Sequence, residues 1–230
     1  HTVFNGVDHQ RFQPCEKAAV AAFKCRYAPE DAIILSTLSR IEERKGHSAV
    51  LRALARLKET KPDLSIRYLI AGKGPFEPNL RDLVRELELE EQVEFLGFIA
   101  REDVNLLYSA TDLFVMPSVY LKDSGSVEGF GLVYVEAGLC GTPSLGGTAG
   151  GVSDAIKDGE TGYTVDGDNI DAIFDILQCL AEDPDTVAEM GAKARRYYLE
   201  NLTLDIVLDR ELTTIISILD QGLSPSGERI

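Results

Sequence analysis

Two carboxylates and a glycine turn stand nearest to chemistry in this sequence. The stretch EGFGLVYVE, residues 128–136, sets Glu128 and Glu136 apart by seven residues. Gly129 and Gly131 allow a tight turn and let a ligand approach the backbone. A helix opening near Gly131 offers free N–H groups and the positive end of its dipole, which suits an anion. On that helix Leu132, Val135, Glu136 and Leu139 share one face, so Glu136 is a carboxylate in an apolar stripe and needs a partner. A helical rise from 128 to 136 covers roughly 12 Å. That is the reach of a sugar, a diphosphate and a ribose laid end to end. One carboxylate would meet hydroxyls of the sugar and the other those of the ribose, with the helix start on the phosphates between. The plain alternative is two surface glutamates on an ordinary helix; the glycine turn and the apolar neighbours of Glu136 weigh against it.

The second feature is SRIEERKGH, residues 39–47. Arg40 follows an apolar run and Lys45 lies five residues on, so both cations can point at one diphosphate through charge-assisted contacts; the plain alternative is a solvated charge run, against which stands its place in a net-positive stretch. Arg44 is expected to face solvent. The third is a set of glycines in loops that follow apolar runs. AGKGP at 71–75, with Gly72, and LGFIARE at 96–102 could each wall a base pocket, with Phe98 or Ile99 against the ring. GTAGG at 147–151 lets the backbone come close.

These residues need elements to hold them. Apolar runs at 32–37, 65–72, 93–97, 112–118, 142–147 and 162–165 read as strands. Between them, helical spacing appears at 48–59, 78–88, 101–110, 131–140 and 151–157. Three more helices follow near 169–182, 185–200 and 204–220. Strand and helix in alternation, with short Gly- and Pro-rich links, predict an α/β fold: a Rossmann-like, doubly wound parallel sheet with helices on both faces. Such sheets bind ligands at the carboxyl ends of their strands, where all three features fall.

Composition narrows the partners. The chain has 230 residues, a formal charge of −15 and 44% hydrophobic residues, enough apolar material for a core. The acid excess argues against nucleic acid, which wants a basic face. It is unevenly spread: residues 1–60 carry ten basic against seven acidic side chains, net +3, and the rest is net −18. An anionic ligand, if there is one, should seek the first sixty residues, where Arg40 and Lys45 lie; the plain alternative for the charge split is a solubility effect. Cys15, Cys25, Cys140 and Cys179 show no metal spacing and fit a reducing compartment. His9 and His47 read as surface residues. No run is long enough to span a bilayer.

Taken in order, FNGVDHQRF at 4–12, SRIEERKGH, IAGKGP, VEFLGF, ATDLFVMPS, EGFGLVYVEAGLCGTPSLGG, GGVSDAI and DGETGYTV resemble the C-terminal half of a retaining family 4 (group 1) glycosyltransferase with the GT-B fold. The resemblance runs from about residue 3 to 200. It implies an enzyme whose donor is a nucleotide diphosphate sugar, UDP- or GDP-linked, and an interdomain link at 1–12 leading into a donor-binding domain at 13–200. By that resemblance Arg40 and Lys45 hold the donor phosphates, Glu128 meets the transferred sugar, and Glu136 holds the ribose. The backbone of Phe130, Gly131 and Leu132 contributes to phosphate and sugar, and Ile99 touches the base. Transfer would retain configuration, with the leaving diphosphate assisting the incoming hydroxyl.

The family's N-terminal half, which binds the acceptor, has no counterpart here, so this chain alone is expected to transfer little. A helix at 201–222 would pack toward that half, leaving Leu204, Ile206, Val207 and Leu208 as exposed apolar surface, and 223–230 reads as a flexible tail. The loop VYLKDSGSV at 119–127 is longer than the family minimum and resembles the branch that mannosylates lipid-linked inositol, a lean toward a mannose donor. No metal or other cofactor is expected, since the cations and the helix start can neutralise a diphosphate. The expected location is the cytoplasm, at the inner face of the membrane if the N-terminal half associates there. Two other readings share the architecture: a non-catalytic nucleotide-sugar-binding module and a sugar-nucleotide epimerase.

Overall fold

The computed structural model describes residues 5–222. Its strands are β1 (Ile33–Leu38), β2 (Ile66–Ala71), β3 (Val93–Gly97), β4 (Leu113–Met116), β5 (Ser144–Gly147) and β6 (Gly162–Val165). They form one sheet in the order β3-β2-β1-β4-β5-β6, and every pairing is parallel. The chain winds outward from β1 to β3, returns, and winds outward the other way from β4 to β6. Direction reverses between β1 and β4, and the crevice outside the carboxyl ends of those two strands is where an open α/β sheet takes a ligand.

Helices cover both faces: α1 (Lys17–Tyr27), α2 (His47–Thr60), α3 (Glu77–Glu86), α4 (Val104–Ala110), α5 (Leu132–Leu139), α6 (Val152–Ala155), α7 (Ile170–Glu182), α8 (Pro184–Asn201) and α9 (Leu204–Gly222). Strand alternation divides the core. Leu35, Tyr68, Ile70 and Val115 pack under α2 and α7, with Leu54 and Leu177. Phe114 and Met116 pack under α5 and α8, with Val135 and Tyr198. Ile34 and Leu69 meet Phe23 and Leu107 on the same side as α1 and α4. All four residues of β4 are buried, so this strand reads as a continuous apolar run with no alternation.

The sequence reading contains no helix at 17–27. The reason is α1 itself: KAAVAAFKCRY is rich in alanine and buries only Phe23, so it shows no clear apolar stripe. The helix of the Glu–seven–Glu stretch begins at Leu132 with Gly131 as its N-cap, where the sequence places it. Glu128 therefore precedes it by a full turn, and the 12 Å helical span does not apply.

The opening segment is attached to the domain. Val7 N–H donates to the Leu202 carbonyl at 2.9 Å and Leu204 N–H to the Val7 carbonyl at 2.9 Å, while Val7 and Phe12 are buried. On α9 the expected apolar surface is only partly present. Leu204 and Leu208 are exposed, Ile206 is half-buried, and Val207 is buried because it turns toward the domain. The expected tail at 223–230 lies outside the described residues. No helix among the described residues is long and apolar enough to cross a membrane.

Candidate functional site

A cavity of about 390 Å³ opens at the carboxyl ends of β1 and β4. Leu38, Ser39 and Arg40 line it from the end of β1, Lys45 from the next turn, and Glu128 with residues 130–133 from the connection between β4 and α5. Five of the sequence-derived candidates beside Lys45 thus meet here: Arg40, Glu128, Phe130, Gly131 and Leu132.

Local conformation explains the convergence. After β1 the chain makes a short 3-10 turn, Glu43–Lys45, then a left-handed residue, Gly46, at φ 76°. A Cβ on Gly46 would lie 2.0 Å from the Pro117 carbonyl oxygen, so only glycine lets this turn sit against the end of β4. Val119 N–H donates to the Arg44 carbonyl at 2.8 Å and fastens the two loops together. On the other wall Gly131 is left-handed at φ 84° and stands at the N-cap of α5, leaving the first N–H groups of that helix facing away from its own hydrogen-bond ladder. Gly151 N–H donates to the Glu128 carbonyl at 3.1 Å, which anchors Glu128 to the glycine loop after β5.

The central contact is ionic. One oxygen of Glu128, Oε2, accepts from Lys45 Nζ at 2.5 Å and from Arg44 at 3.1 Å. The side chains are mostly buried, at 9% exposure for Lys45, 12% for Glu128 and 19% for Arg44. Burial pushes the Glu128 carboxyl up, but the Lys45 bond and charge, helped by Arg44, outweigh it and hold the group below the usual carboxylate value. Arg44 also pairs with Glu42 at 3.1 Å. The expectation that Arg44 faces solvent is therefore wrong. Arg40 holds the exposed place instead, at 70% exposure, touching Glu42 at 3.2 Å. Residue type and position did not distinguish the two arginines; the 3-10 turn after Arg40 is what carries Arg44 inward.

Glu136 sits one turn into α5 and does have the partner its apolar face demands. The buried Tyr108 hydroxyl, from α4, donates to Glu136 Oε2 at 2.9 Å. Burial raises the Glu136 carboxyl, and the Tyr108 bond and the nearby Arg11 charge only partly offset it. Tyr108 itself is raised well above the phenol range, first by burial and then by the Glu136 charge. Neither Tyr108 nor Arg11 stands out in the sequence, because each lies far from the motif along the chain.

The other candidates lie outside the cavity lining. Gly129 has open space where a side chain would be. Gly72 packs its backbone against the Ser39 carbonyl and donates to Gly97 at 2.7 Å, joining the ends of β1, β2 and β3. Ile99 is half-buried against the core under α1 and α4, while its neighbour Phe98 is 81% exposed. His47 contradicts its surface reading: it is 1% exposed, and burial, with the Lys45 charge, lowers its pKa to about 3. Among the described residues no group of His, Cys, Asp or Glu is placed to hold a metal ion.

Comparison with known proteins converges on one group. The family model described as Glycosyl transferases group 1 matches residues 23–197. A GDP-mannose-dependent alpha-(1-6)-phosphatidylinositol monomannoside mannosyltransferase of Mycolicibacterium smegmatis is 36% identical over 196 residues, covering 85% of this chain and 50% of that protein. A monoacylated-substrate counterpart in Corynebacterium glutamicum is 32% identical, over 92% of this chain and 54% of its own length. The chain thus spans about half the length of the curated relatives it matches. Among solved structures, Anabaena HepE in complex with UDP and glucose superposes with a TM-score of 0.81 at 23% identity, over 94% of this chain and 57% of that one. The C-terminal domain of a group 1 glycosyl transferase from Francisella tularensis is covered completely, along 86% of this chain, with a TM-score of 0.73 at 25% identity.

Proposed function

The chain belongs to the glycosyl transferases group 1 family, and we propose that it is the donor-binding half of a retaining glycosyltransferase that moves a hexosyl group from a nucleoside diphosphate sugar to an acceptor hydroxyl. One observation carries this reading. Lys45 and Glu128, paired with each other, line with Arg40 a cavity closed on its other side by the N-terminal turn of α5. A cavity lined by a cation and a helix N-terminus suits a diphosphate. In this reading Lys45 and the free N–H groups at Gly131 and Leu132 bind the phosphates. Glu128, released from Lys45 by the incoming anion, turns to the hydroxyls of the sugar, and Glu136 takes the ribose through the oxygen Tyr108 does not use. Ile99 lies on the loop that would flank the base. No metal is required, because the protein's own cations neutralise the leaving diphosphate. The acceptor, and any contact with a membrane surface, fall to the half of such an enzyme that this chain does not span. GDP-mannose is the donor to try first, since relatives at 36% and 32% identity carry that donor in their names.

Thermal melting with millimolar GDP, UDP or ADP tests the donor site. At least one should raise the melting temperature, and Lys45→Ala should abolish the rise. If none of the three shifts the melting point, the donor-site reading fails. Retention is tested on the full-length protein by the anomeric configuration of its product.

A further inference from the structure

Behind Lys45 runs a buried chain of hydrogen bonds that the proposed transfer does not use. Thr37 on β1 donates through Oγ1 to the Val115 carbonyl on β4. The same Oγ1 lies 2.7 Å from the Tyr68 hydroxyl on β2, and that hydroxyl lies 3.0 Å from His47 Nδ1 at the start of α2. All of these side chains are buried.

The hydrogens in this chain can be assigned by counting. A carbonyl only accepts, so the single Thr37 hydrogen goes to Val115. Toward Tyr68, Thr37 can then only accept, and the phenolic hydrogen goes to Thr37. Toward His47, the Tyr68 oxygen can in turn only accept. Nδ1 must therefore carry a hydrogen. A second ring hydrogen would make an imidazolium, which full burial and the neighbouring Lys45 charge both oppose. Nε2 is thus a bare acceptor, and it is buried with no hydrogen-bond partner among the described residues. A leucine or methionine would fill the same space without that unpaired atom, so the imidazole is kept for its Nδ1–H.

We infer that His47 is a positioning residue for Lys45, holding the turn that carries the ammonium against Glu128 by a one-way relay through Tyr68 and Thr37 to β4. The geometry is suited to this. His47 is two residues from Lys45, across the left-handed Gly46 that rests on Pro117. The relay runs from β2 through β1 to β4, and the cavity opens at the carboxyl ends of the last two. It ties the start of α2 to the sheet, while the Val119–Arg44 bond ties the turn to the loop after β4.

The inference rests on the donor-site reading for its functional consequence only, and the first measurement needs no ligand. Long-range proton–nitrogen correlation spectra of the labelled 230-residue chain should show a neutral His47 with its hydrogen on Nδ1 between about pH 5 and 8. The Lys45 ammonium, held in its ion pair, should give a resolved signal that Tyr68→Phe removes. Asparagine can present an N–H where Nδ1 stood and glutamine cannot. His47→Asn should therefore preserve the Lys45 signal and nucleoside diphosphate affinity, while His47→Gln and Tyr68→Phe lower that affinity about tenfold, the scale of one lost hydrogen bond. Affinity for the unphosphorylated nucleoside should stay unchanged in all three, which a general loss of packing would not allow. A hydrogen on Nε2, a Lys45 signal indifferent to Tyr68→Phe, or equal behaviour of His47→Asn and His47→Gln would each overturn the inference. If the wild type binds no nucleotide, the donor-site reading fails, and the tautomer and the Lys45 signal still decide this one.

Discussion

Glu128 and Glu136 stand eight residues apart and solve the problem of a buried carboxylate in opposite ways. Glu128, in the loop before α5, shares one oxygen between a lysine and an arginine and is held ionised. Glu136, inside the helix, has a neutral phenol as its hydrogen-bond partner, and burial raises it. The loop carboxylate is bound by charges that an incoming anion could displace. The helical one is bound by a neutral donor that no anion competes for. This difference suits a part that must reorganise when a diphosphate arrives and a part that stands ready beforehand.

The largest test of that contrast is a paired substitution. Glu128→Gln strands Lys45 in a mostly buried site and should cost about 3 kcal/mol at neutral pH, the scale of breaking a buried ion pair. Because the folded Glu128 carboxyl lies below its ordinary value of 4.5, its contribution is complete above that value. It is lost as the pH falls through the folded value, so wild type and variant should converge in acid. Glu136→Gln should move the other way. Its folded carboxyl lies above 4.5, so ionisation costs stability as the pH rises through that range, and the neutral amide should be as stable as wild type or more so at pH 7. Urea melts of both variants across pH give the comparison. Parallel curves would erase the contrast.

How much of this was readable in the chain depends on how local each feature is. The parallel sheet follows from apolar runs punctuated by glycine and proline, and the ligand end of the sheet follows from the glycines after those runs. The pairing of Lys45 with Glu128 spans 83 positions and exists only because β1 and β4 are neighbours at the reversal of the sheet. Strand order is a property of packing that no local pattern spells out. Arg44 and Arg40 look alike until the 3-10 turn rotates one inward. Tyr108 lies in no motif, and His47 closes SRIEERKGH without any local sign of its burial: each is an ordinary aromatic residue whose role comes from the element it happens to face. The alanine-rich α1 was invisible because it covers an edge of the core with few large side chains.

A smaller effect should follow from breaking the phenol contact. Tyr108→Phe keeps the ring, which packs near Phe114 and Phe12, and removes only the hydroxyl. The Glu136 carboxyl then loses the bond that holds it down and should titrate still higher. On the donor reading, affinity for a ribonucleoside diphosphate should fall by about three- to tenfold, one hydrogen bond's worth, while the 2′,3′-dideoxy analogue should bind wild type and variant alike. Calorimetric titration of both ligands measures it. An equal loss for the dideoxy analogue would mean that Tyr108 does not act through Glu136.

The smallest expected change in stability separates the two arginines. Arg40 is exposed and among the described residues pairs only with Glu42, a surface pair of the kind that contributes about 0–1 kcal/mol. Arg40→Ala should therefore leave the urea midpoint nearly unchanged. Arg44 reaches both Glu42 and Glu128 from a mostly buried position, and its loss should cost about 1–2 kcal/mol, less than Glu128→Gln because Lys45 still neutralises the carboxylate. For ligand binding the order should reverse. Arg40 lines the cavity and its ion pair among the described residues is the exposed one to Glu42, so it can swing onto a phosphate without breaking a buried pair. Arg44 is already committed to holding Glu128. Arg40→Ala should thus weaken diphosphate binding at little cost to the fold, and Arg44→Ala should weaken the fold more than the binding. If Arg44→Ala proved the more damaging to binding and Arg40→Ala harmless, the inner arginine would be the phosphate ligand. The ion cluster at Glu128 would then be opened by the donor at two cations rather than one.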